Sequence, residues 1–129
     1  MVTYFLIGIT CLVSISAFSN TTLFAKMLFS PYIISRTKEW WRFFTHGLIH
    51  ANFGHLFFNM IGLYYFGPIV ESNFEERFNG TAGKLIYILF YAVTVSGATL
   101  RSFEKNKDNH LYSAVGASGG VTGIIFSSK

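Results

Sequence analysis

The sequence has little charge, a single cysteine and only two prolines. Asp, Glu, Lys and Arg make up 12% of its 129 residues, against about 25% in an ordinary soluble domain. The lone thiol, Cys11, excludes an internal disulfide. The ten basic and six acidic residues are scattered between apolar runs. Because the basic residues form no dense cluster, we expect no nucleic-acid partner.

Apolar and aromatic residues take the place of charge. Hydrophobic residues account for 51% of the chain, which includes fifteen Phe and seven Tyr, and the mean hydropathy is +0.42. One small soluble core cannot bury so many large apolar side chains. The composition therefore predicts an all-α, multi-pass integral membrane protein, with residues 1–129 forming a single domain in the lipid bilayer.

Four apolar runs are candidate membrane spans: Val2–Phe18, 47–70, 83–100 and 113–128. A spanning helix needs about 17–25 residues, so the first run is at the short limit. A cleaved signal peptide is the alternative for that run, because small residues at 14–19 would suit cleavage. No basic segment precedes the run, which favours a first membrane span.

The fourth run is too short to cross a bilayer. Starting near residue 115, about fifteen residues rise about 22 Å, whereas the hydrocarbon core is roughly 30 Å thick. We therefore predict three complete spans plus the start of a fourth. On this interpretation the chain is the N-terminal part of a longer protein and is incomplete at its C-terminus.

The connections between the runs differ in character. Residues 19–46 contain the aromatic cluster WWRFF at 40–44, beside Lys38. Aromatic rings and basic side chains both favour the membrane–water interface, so we expect short, partly embedded helices there, with a plain surface loop as the alternative. Residues 71–83 and 102–112 are polar and are predicted to be loops.

Ser118 is the first candidate for chemistry. It lies among Gly116, Gly119, Gly120 and Gly123 and opens the fourth run. Bare backbone N–H groups around a hydroxyl suit a nucleophile whose reaction develops an oxyanion. The same glycines form two GxxxG patterns, which favour close helix packing instead. The string also matches the G-x-S-x-G elbow of α/β-hydrolases, but the strand that this fold requires is not predicted.

Three histidines and an asparagine enter the second run. His55 and Asn59 are four residues apart and share a helical face, whereas His50 belongs to the preceding turn. Four interpretations are open: a polar wall that faces a reacting oxygen, a metal site that also uses His46, haem ligation, or structural hydrogen bonding. Zinc requires three or four ligands, and no Asp, Glu or Cys lies in this cluster.

Taken together and in order, these segments resemble the rhomboid family of intramembrane serine proteases. The resemblance rests on Trp41-Arg42, His50-x4-His55-x3-Asn59, Glu71 and Gly116-Ala117-Ser118-Gly119. It implies a bundle of six core spans with a water-accessible site below the membrane surface. Its substrates would be transmembrane proteins, and it would use neither a metal nor another cofactor.

The resemblance also implies a role for each residue. Ser118 would be the nucleophile, and His55, Asn59 and the Ser118 backbone N–H would form the oxyanion site. That site would be lined by Gly116 and Gly119 and supported by His50. Arg42 would brace the first connection and Glu71 would be a buried polar anchor.

The family base is a histidine on the sixth span, which lies outside this chain, so we expect residues 1–129 alone to be inactive. The alternatives are a non-cleaving rhomboid-like binding protein, or a His-ligated metal or haem protein. The family orientation places the N-terminus in the cytoplasm, although the first connection carries four basic residues and the second carries two. The expected location is the plasma or inner membrane of a prokaryote.

Overall fold

The computed structural model describes residues 1–128, and it is built from helices. In chain order the helices are α1 (Val2–Phe18), α2 (Thr21–Met27), α3 (Pro31–Thr37), α4 (Arg42–Thr45), a 3-10 turn (His46–Leu48), α5 (Phe53–Phe78), α6 (Gly80–Gly97), α7 (Leu100–Asn106) and α8 (Ser118–Ser127). Over these residues the predicted all-α class is confirmed. The only β-type pairing in them is an isolated antiparallel bridge between Phe29 and Ala114.

Two helical stretches are long and apolar enough to cross a membrane. They are Phe53–Phe78 and Gly80–Asn106, whereas Val2–Phe18 and Ser118–Ser127 are apolar but shorter. Several large apolar side chains on these helices are exposed, including Phe58 and Leu89. Such an outer surface suits a lipid environment.

Helix α5 is longer than the sequence predicted. It continues through Phe78, so most of the loop expected over residues 71–83 is helix and that prediction was wrong. The cause is burial from both sides: Glu71 is 1% exposed beneath α1, and Gly83 packs against the backbone of Phe74 and Glu75. The polar residues therefore belong to a tight α5–α6 corner rather than to a solvated connection.

The expected loop over residues 102–112 is also partly helical, which corrects a second prediction. Helix α7 lies across the first connection, where the Phe103 ring is 5.4 Å from that of Phe43 and 6.2 Å from that of Trp40. The first connection itself contains α2, α3 and α4. Asn20 and Ser30 cap α2 and α3 through their side chains, and Pro31 occupies the first turn of α3.

Helices α5, α6 and α8 form the centre of the molecule, and α1 packs on α5. A Cβ on Gly119 would meet Ala98, the residue that caps the end of α6, and one on Gly123 would meet Thr94 within α6, so α8 runs antiparallel to α6. On the other side of α8, Val121 fills the space beside Gly62 of α5. The start of α8 is thereby held between two long helices.

Candidate active site

The start of α8 lies against the start of α5, and the two helices run in the same direction. Gly116 is in contact with the His55 ring, and two turns further along α5 Gly62 is in contact with Val121. Ser118 lies between these two contacts in sequence, as Asn59 does on α5. The structure therefore brings the serine segment and the His55–Asn59 face to the same end of one helix pair.

Gly116 is required at its position for two reasons. Its φ is +111°, a left-handed conformation that side chains strongly disfavour. A Cβ there would be 2.5 Å from Cε1 of His55 and 3.0 Å from its Nε2. The Gly116 N–H donates to the His46 carbonyl oxygen at 2.8 Å, which fixes this backbone in place. Close approach of the imidazole to the chain before Ser118 thus depends on the missing side chain.

His50 connects α1 to the residue before Ser118. Its Nε2 accepts a hydrogen bond from the Ala117 N–H at 3.1 Å, and its Nδ1 is 3.0 Å from the Ser14 hydroxyl. The single hydroxyl proton of Ser14 goes to the Leu48 carbonyl oxygen at 2.7 Å. Ser14 must therefore accept from His50, which makes His50 a neutral imidazole protonated on Nδ1.

His55 points its other nitrogen toward the serine segment. The Ala51 N–H approaches Nδ1 of His55 at 3.4 Å, so a neutral His55 carries its proton on Nε2, which with Cε1 forms the ring edge beside Gly116. The His50 and His55 rings are 5.0 Å apart and nearly perpendicular. The buried Asn59 donates from Nδ2 to the His55 carbonyl oxygen at 3.1 Å, one turn back along α5.

The first turn of α8 has unused hydrogen-bond donors. The first bond into this turn comes from the Val121 N–H to the Ala117 carbonyl. The N–H groups of Ser118, Gly119 and Gly120 therefore have no acceptor within residues 1–128. Ser118 itself is exposed. Free N–H groups and the helix dipole make this terminus suited to an anion that forms beside the hydroxyl.

The remaining glycines of this segment serve packing. A Cβ on Gly119 would be 2.5 Å from Cβ of Ala98, and one on Gly120 would be 2.6 Å from Val95. These glycines, with Gly123, turn toward α6. The missing side chains of these glycines therefore allow close packing on α6, as the GxxxG patterns predict. The backbone N–H groups of Gly119 and Gly120 are still available as hydrogen-bond donors at the start of α8.

Arg42 ties the first connection together. Its guanidinium donates to the carbonyl oxygens of Ala25 at 2.7 Å and Leu28 at 2.9 Å, and to Glu39 at 3.0 and 3.2 Å. Hydrogen bonds from Thr37 and then Arg42 lower the pKa of the Glu39 carboxyl below its ordinary value. Arg42 thus joins the end of α2 to α4, remote from Ser118 in the chain.

Glu71 lies at the opposite end of α5 from His55. Its carboxylate accepts from the backbone N–H groups of Val2 and Thr3, both at 2.9 Å, and from the Thr3 hydroxyl at 2.8 Å. Lys84 adds an ion pair at 3.3 Å. The carboxylate therefore closes the start of α1, and it takes no part in the arrangement around Ser118.

The described part of the chain contains no set of side chains that could together bind a metal ion. Residues 1–128 bring no three His, Cys, Asp or Glu side chains together around a common point. Nδ1 of His46 is bonded to the Arg42 carbonyl oxygen at 2.9 Å, so this histidine is committed to the backbone.

Sequence reasoning missed Ser14, which lies in the middle of the first apolar run. A signal was present: Thr3, Thr10 and Ser14 are spaced seven and then four residues apart, which places three hydroxyls on one helical face. All three are buried. The spacing marks the side of α1 that faces the bundle.

Comparison with protein families gives one match that bears on this geometry. The Rhomboid domain model matches residues 37–128, which is well over half of the chain. The chain belongs to the rhomboid family. The family predicted from the residues is confirmed, and rhomboid membrane proteins are generally intramembrane serine proteases. The matched region contains Arg42, His50, His55, Asn59, Glu71 and Ser118, whereas Ser14 of this rhomboid lies before it.

Proposed function

We propose that this rhomboid is the serine-bearing part of an intramembrane endopeptidase that cleaves transmembrane proteins. It would form one multi-pass domain in the plasma or inner membrane of a prokaryote. The observation that carries the proposal is the junction of α5 and α8. Gly116 lies there against the Cε1–Nε2 edge of the His55 ring. Two residues later Ser118 begins α8 with an exposed side chain, and the N–H groups of residues 118–120 have no acceptor within residues 1–128.

In the proposed reaction Oγ of Ser118 attacks a substrate peptide carbonyl. The hydroxyl proton passes to a histidine base supplied from outside residues 1–129, and the carbonyl oxygen becomes an oxyanion. The N–H of Ser118 and the Nε2–H of His55 would donate to that oxyanion, with Asn59 completing the polar wall. Collapse breaks the C–N bond, the base returns its proton to the leaving amine, and water then releases the acyl group.

His50 would act through position rather than contact with substrate. Its acceptor nitrogen holds the Ala117 N–H, and its donor nitrogen is anchored on Ser14. The backbone that carries Ser118 is thereby fixed to α1 as well as to α5. Arg42 would preserve the shape of the first connection, and Glu71 the packing of α1 on α5.

The test is cleavage of a transmembrane reporter by the native gene product. Ser118→Ala should reduce cleavage by about four orders of magnitude or more, because the nucleophile is lost. Ser113→Ala, which alters an exposed serine five residues earlier, should leave cleavage unchanged. Equal cleavage by the Ser118→Ala variant and the native protein would refute the proposal.

A non-cleaving rhomboid that only holds transmembrane segments is the alternative, since the Ser118 hydroxyl makes no hydrogen bond within residues 1–128. Photo-crosslinking of the reporter distinguishes the two. A binding protein would crosslink the reporter without producing fragments, and Ser118→Ala would change neither result.

A further inference from the structure

The end of the molecule that carries Ser118 has an exposed surface of cations and aromatic rings, here called the interfacial patch. Its members come from α2, from the segment around α4, and from α7: Lys26, Lys38, Trp40, Trp41, Phe44, Arg101 and Lys105. The two indoles are 48% and 51% exposed and the Phe44 ring 54%. These are large apolar surfaces beside charged groups.

Direct contacts join the members of the patch. The Trp41 indole N–H donates to the Lys26 carbonyl oxygen at 3.2 Å. The Lys38 ammonium is 5.9 Å from the centre of a Trp40 ring. Trp40 in turn packs against Phe103, which brings α7 beside the segment around α4. Arg101 and Lys105 are exposed on the same short helix.

Charge is distributed unequally between the two ends of the bundle. The connections at the Ser118 end, residues 19–52 and 98–117, contain seven basic and three acidic residues. The opposite end, residues 71–84, contains two basic and three acidic residues. The Ser118 end is therefore the positive end of the described chain.

The acidic residues at that end are already paired. Glu39 pairs with Arg42, Asp108 with Arg36 and Glu104 with Lys107. Four cations remain without an acidic partner among residues 1–128, and they are the four cations of the interfacial patch: Lys26, Lys38, Arg101 and Lys105. Because residues 1–128 supply no counter-charge for these four exposed cations, they are available to an external anion.

We infer that the interfacial patch binds the headgroups of anionic phospholipids in the leaflet at the Ser118 end. Indole rings settle at headgroup depth, and lysine and arginine side chains attract anionic lipids there. The patch lies where α1 ends and α5 begins, so the headgroup layer and the patch are at the same height. This inference rests on the arrangement of the helices and does not depend on whether the protein is a protease.

The sequence provides its own probe for this inference. Trp40 and Trp41 are the only two tryptophans in the chain, so intrinsic tryptophan fluorescence reports on the interfacial patch alone. The full chain carrying Ser118→Ala is placed in nanodiscs of phosphatidylcholine with a minor fraction of phosphatidylglycerol. In paired samples, an equal amount of one lipid or the other carries bromines at the same acyl carbons.

Brominated phosphatidylglycerol should quench the tryptophans about twofold more strongly than an equal amount of brominated phosphatidylcholine, and added salt should reduce this preference. The triple substitution Lys26→Gln, Lys38→Gln and Lys105→Gln should lower the quenching ratio to about one, because the attracting charge is removed. Replacing the same three residues by Arg should preserve the ratio. Arg77→Gln, at the opposite end, should leave it unchanged.

Equal quenching by the two lipids in the unsubstituted patch would overturn the inference. So would a ratio that survives the triple Gln substitution, or one that Arg77→Gln abolishes. If the two lipids quench equally and a soluble acidic peptide changes the tryptophan fluorescence, the patch binds acidic protein and the lipid assignment is wrong.

Discussion

The starts of α1 and α8 differ in whether their backbone N–H groups have an acceptor. At the start of α1, the N–H groups of Val2 and Thr3 are occupied by the buried carboxylate of Glu71. At the start of α8, the N–H groups of Ser118, Gly119 and Gly120 have no acceptor within residues 1–128. Both termini have the same partial positive charge. We call the start of α1 the closed terminus, because Glu71 already accepts from its N–H groups. We call the start of α8 the open terminus, because its N–H groups can still donate to a negatively charged group.

The residues that face each terminus cause this difference. The closed terminus faces an acidic side chain that reaches it from α5. The open terminus faces His55, a hydrogen-bond donor, across the bare Cα of Gly116. Hydrogen-bond donors on both sides favour an acceptor between them, and most of all a negatively charged oxygen, which agrees with the proposed protease chemistry.

The largest expected effect comes from opening the closed terminus. Glu71→Ala removes the acceptor of two backbone N–H groups and of the Thr3 hydroxyl, so it should lower the free energy of unfolding by about 3 kcal/mol. Glu76→Ala, an exposed change on the same helix, should cost about 0.5 kcal/mol or less. Unfolding in mixed micelles measures both. Similar values for the two variants would show that the closed terminus does not stabilise α1.

A smaller effect should follow from crowding the open terminus. Gly116→Ala forces a side chain into a left-handed conformation and against the His55 ring, which should cost about 1–2 kcal/mol of stability. Reporter cleavage by the native gene product should fall at least about tenfold, since His55 is displaced from the oxyanion position. Gly97→Ala is the matched control, because a Cβ there meets nothing within 4 Å. Unchanged cleavage by Gly116→Ala would show that the position of His55 does not affect the reaction.

The smallest effect should come from the link that holds the open terminus to α1. Ser14→Ala removes the acceptor for Nδ1–H of His50, which should cost about 1 kcal/mol. Nitrogen-15 spectra of the histidines should show His50 as the Nδ1–H tautomer in both chains, because the Ala117 N–H still bonds to Nε2. The Nδ1–H proton of His50 should move upfield in Ser14→Ala, because its hydrogen bond to the Ser14 hydroxyl is lost.

Two further variants make the result for Ser14 specific. Ser14→Thr, which retains a hydroxyl, should keep the Nδ1–H shift of the unsubstituted chain, and Ser16→Ala, on the exposed side of α1, should have no effect. An Nδ1–H proton of His50 that keeps the same chemical shift in Ser14→Ala would disprove the role assigned to Ser14.

The sequence predicted the helices well where hydropathy alone decides them. The first apolar run coincides with α1, because no partner is needed to recognise seventeen uncharged residues. Residues 71–78 were assigned to a loop because local charge normally marks an exit from the membrane. Here the carboxylate of Glu71 is stabilised by backbone N–H donors of α1, a contact 68 residues away in sequence that no local pattern contains.

The candidate site could be predicted from the sequence to a similar degree. Helical spacing placed His55 and Asn59 on one face, and the glycine collar marked the segment around Ser118. The hydrogen bonds of His50 to Ser14 and Ala117 depend on how three separate segments dock, so local spacing could not reveal them. For the same reason α7 was missed: one aromatic residue, Phe103, docks an otherwise polar segment.

The glycine face of α8 limits how this protein can move. Because Gly119, Gly120 and Gly123 bring its backbone directly onto side chains of α6, no flexible side chains cushion the seam between the two helices. Sliding one helix past the other would drive the next residue's Cβ into its neighbour. Helices α6 and α8 therefore resist sliding past each other and are expected to move together.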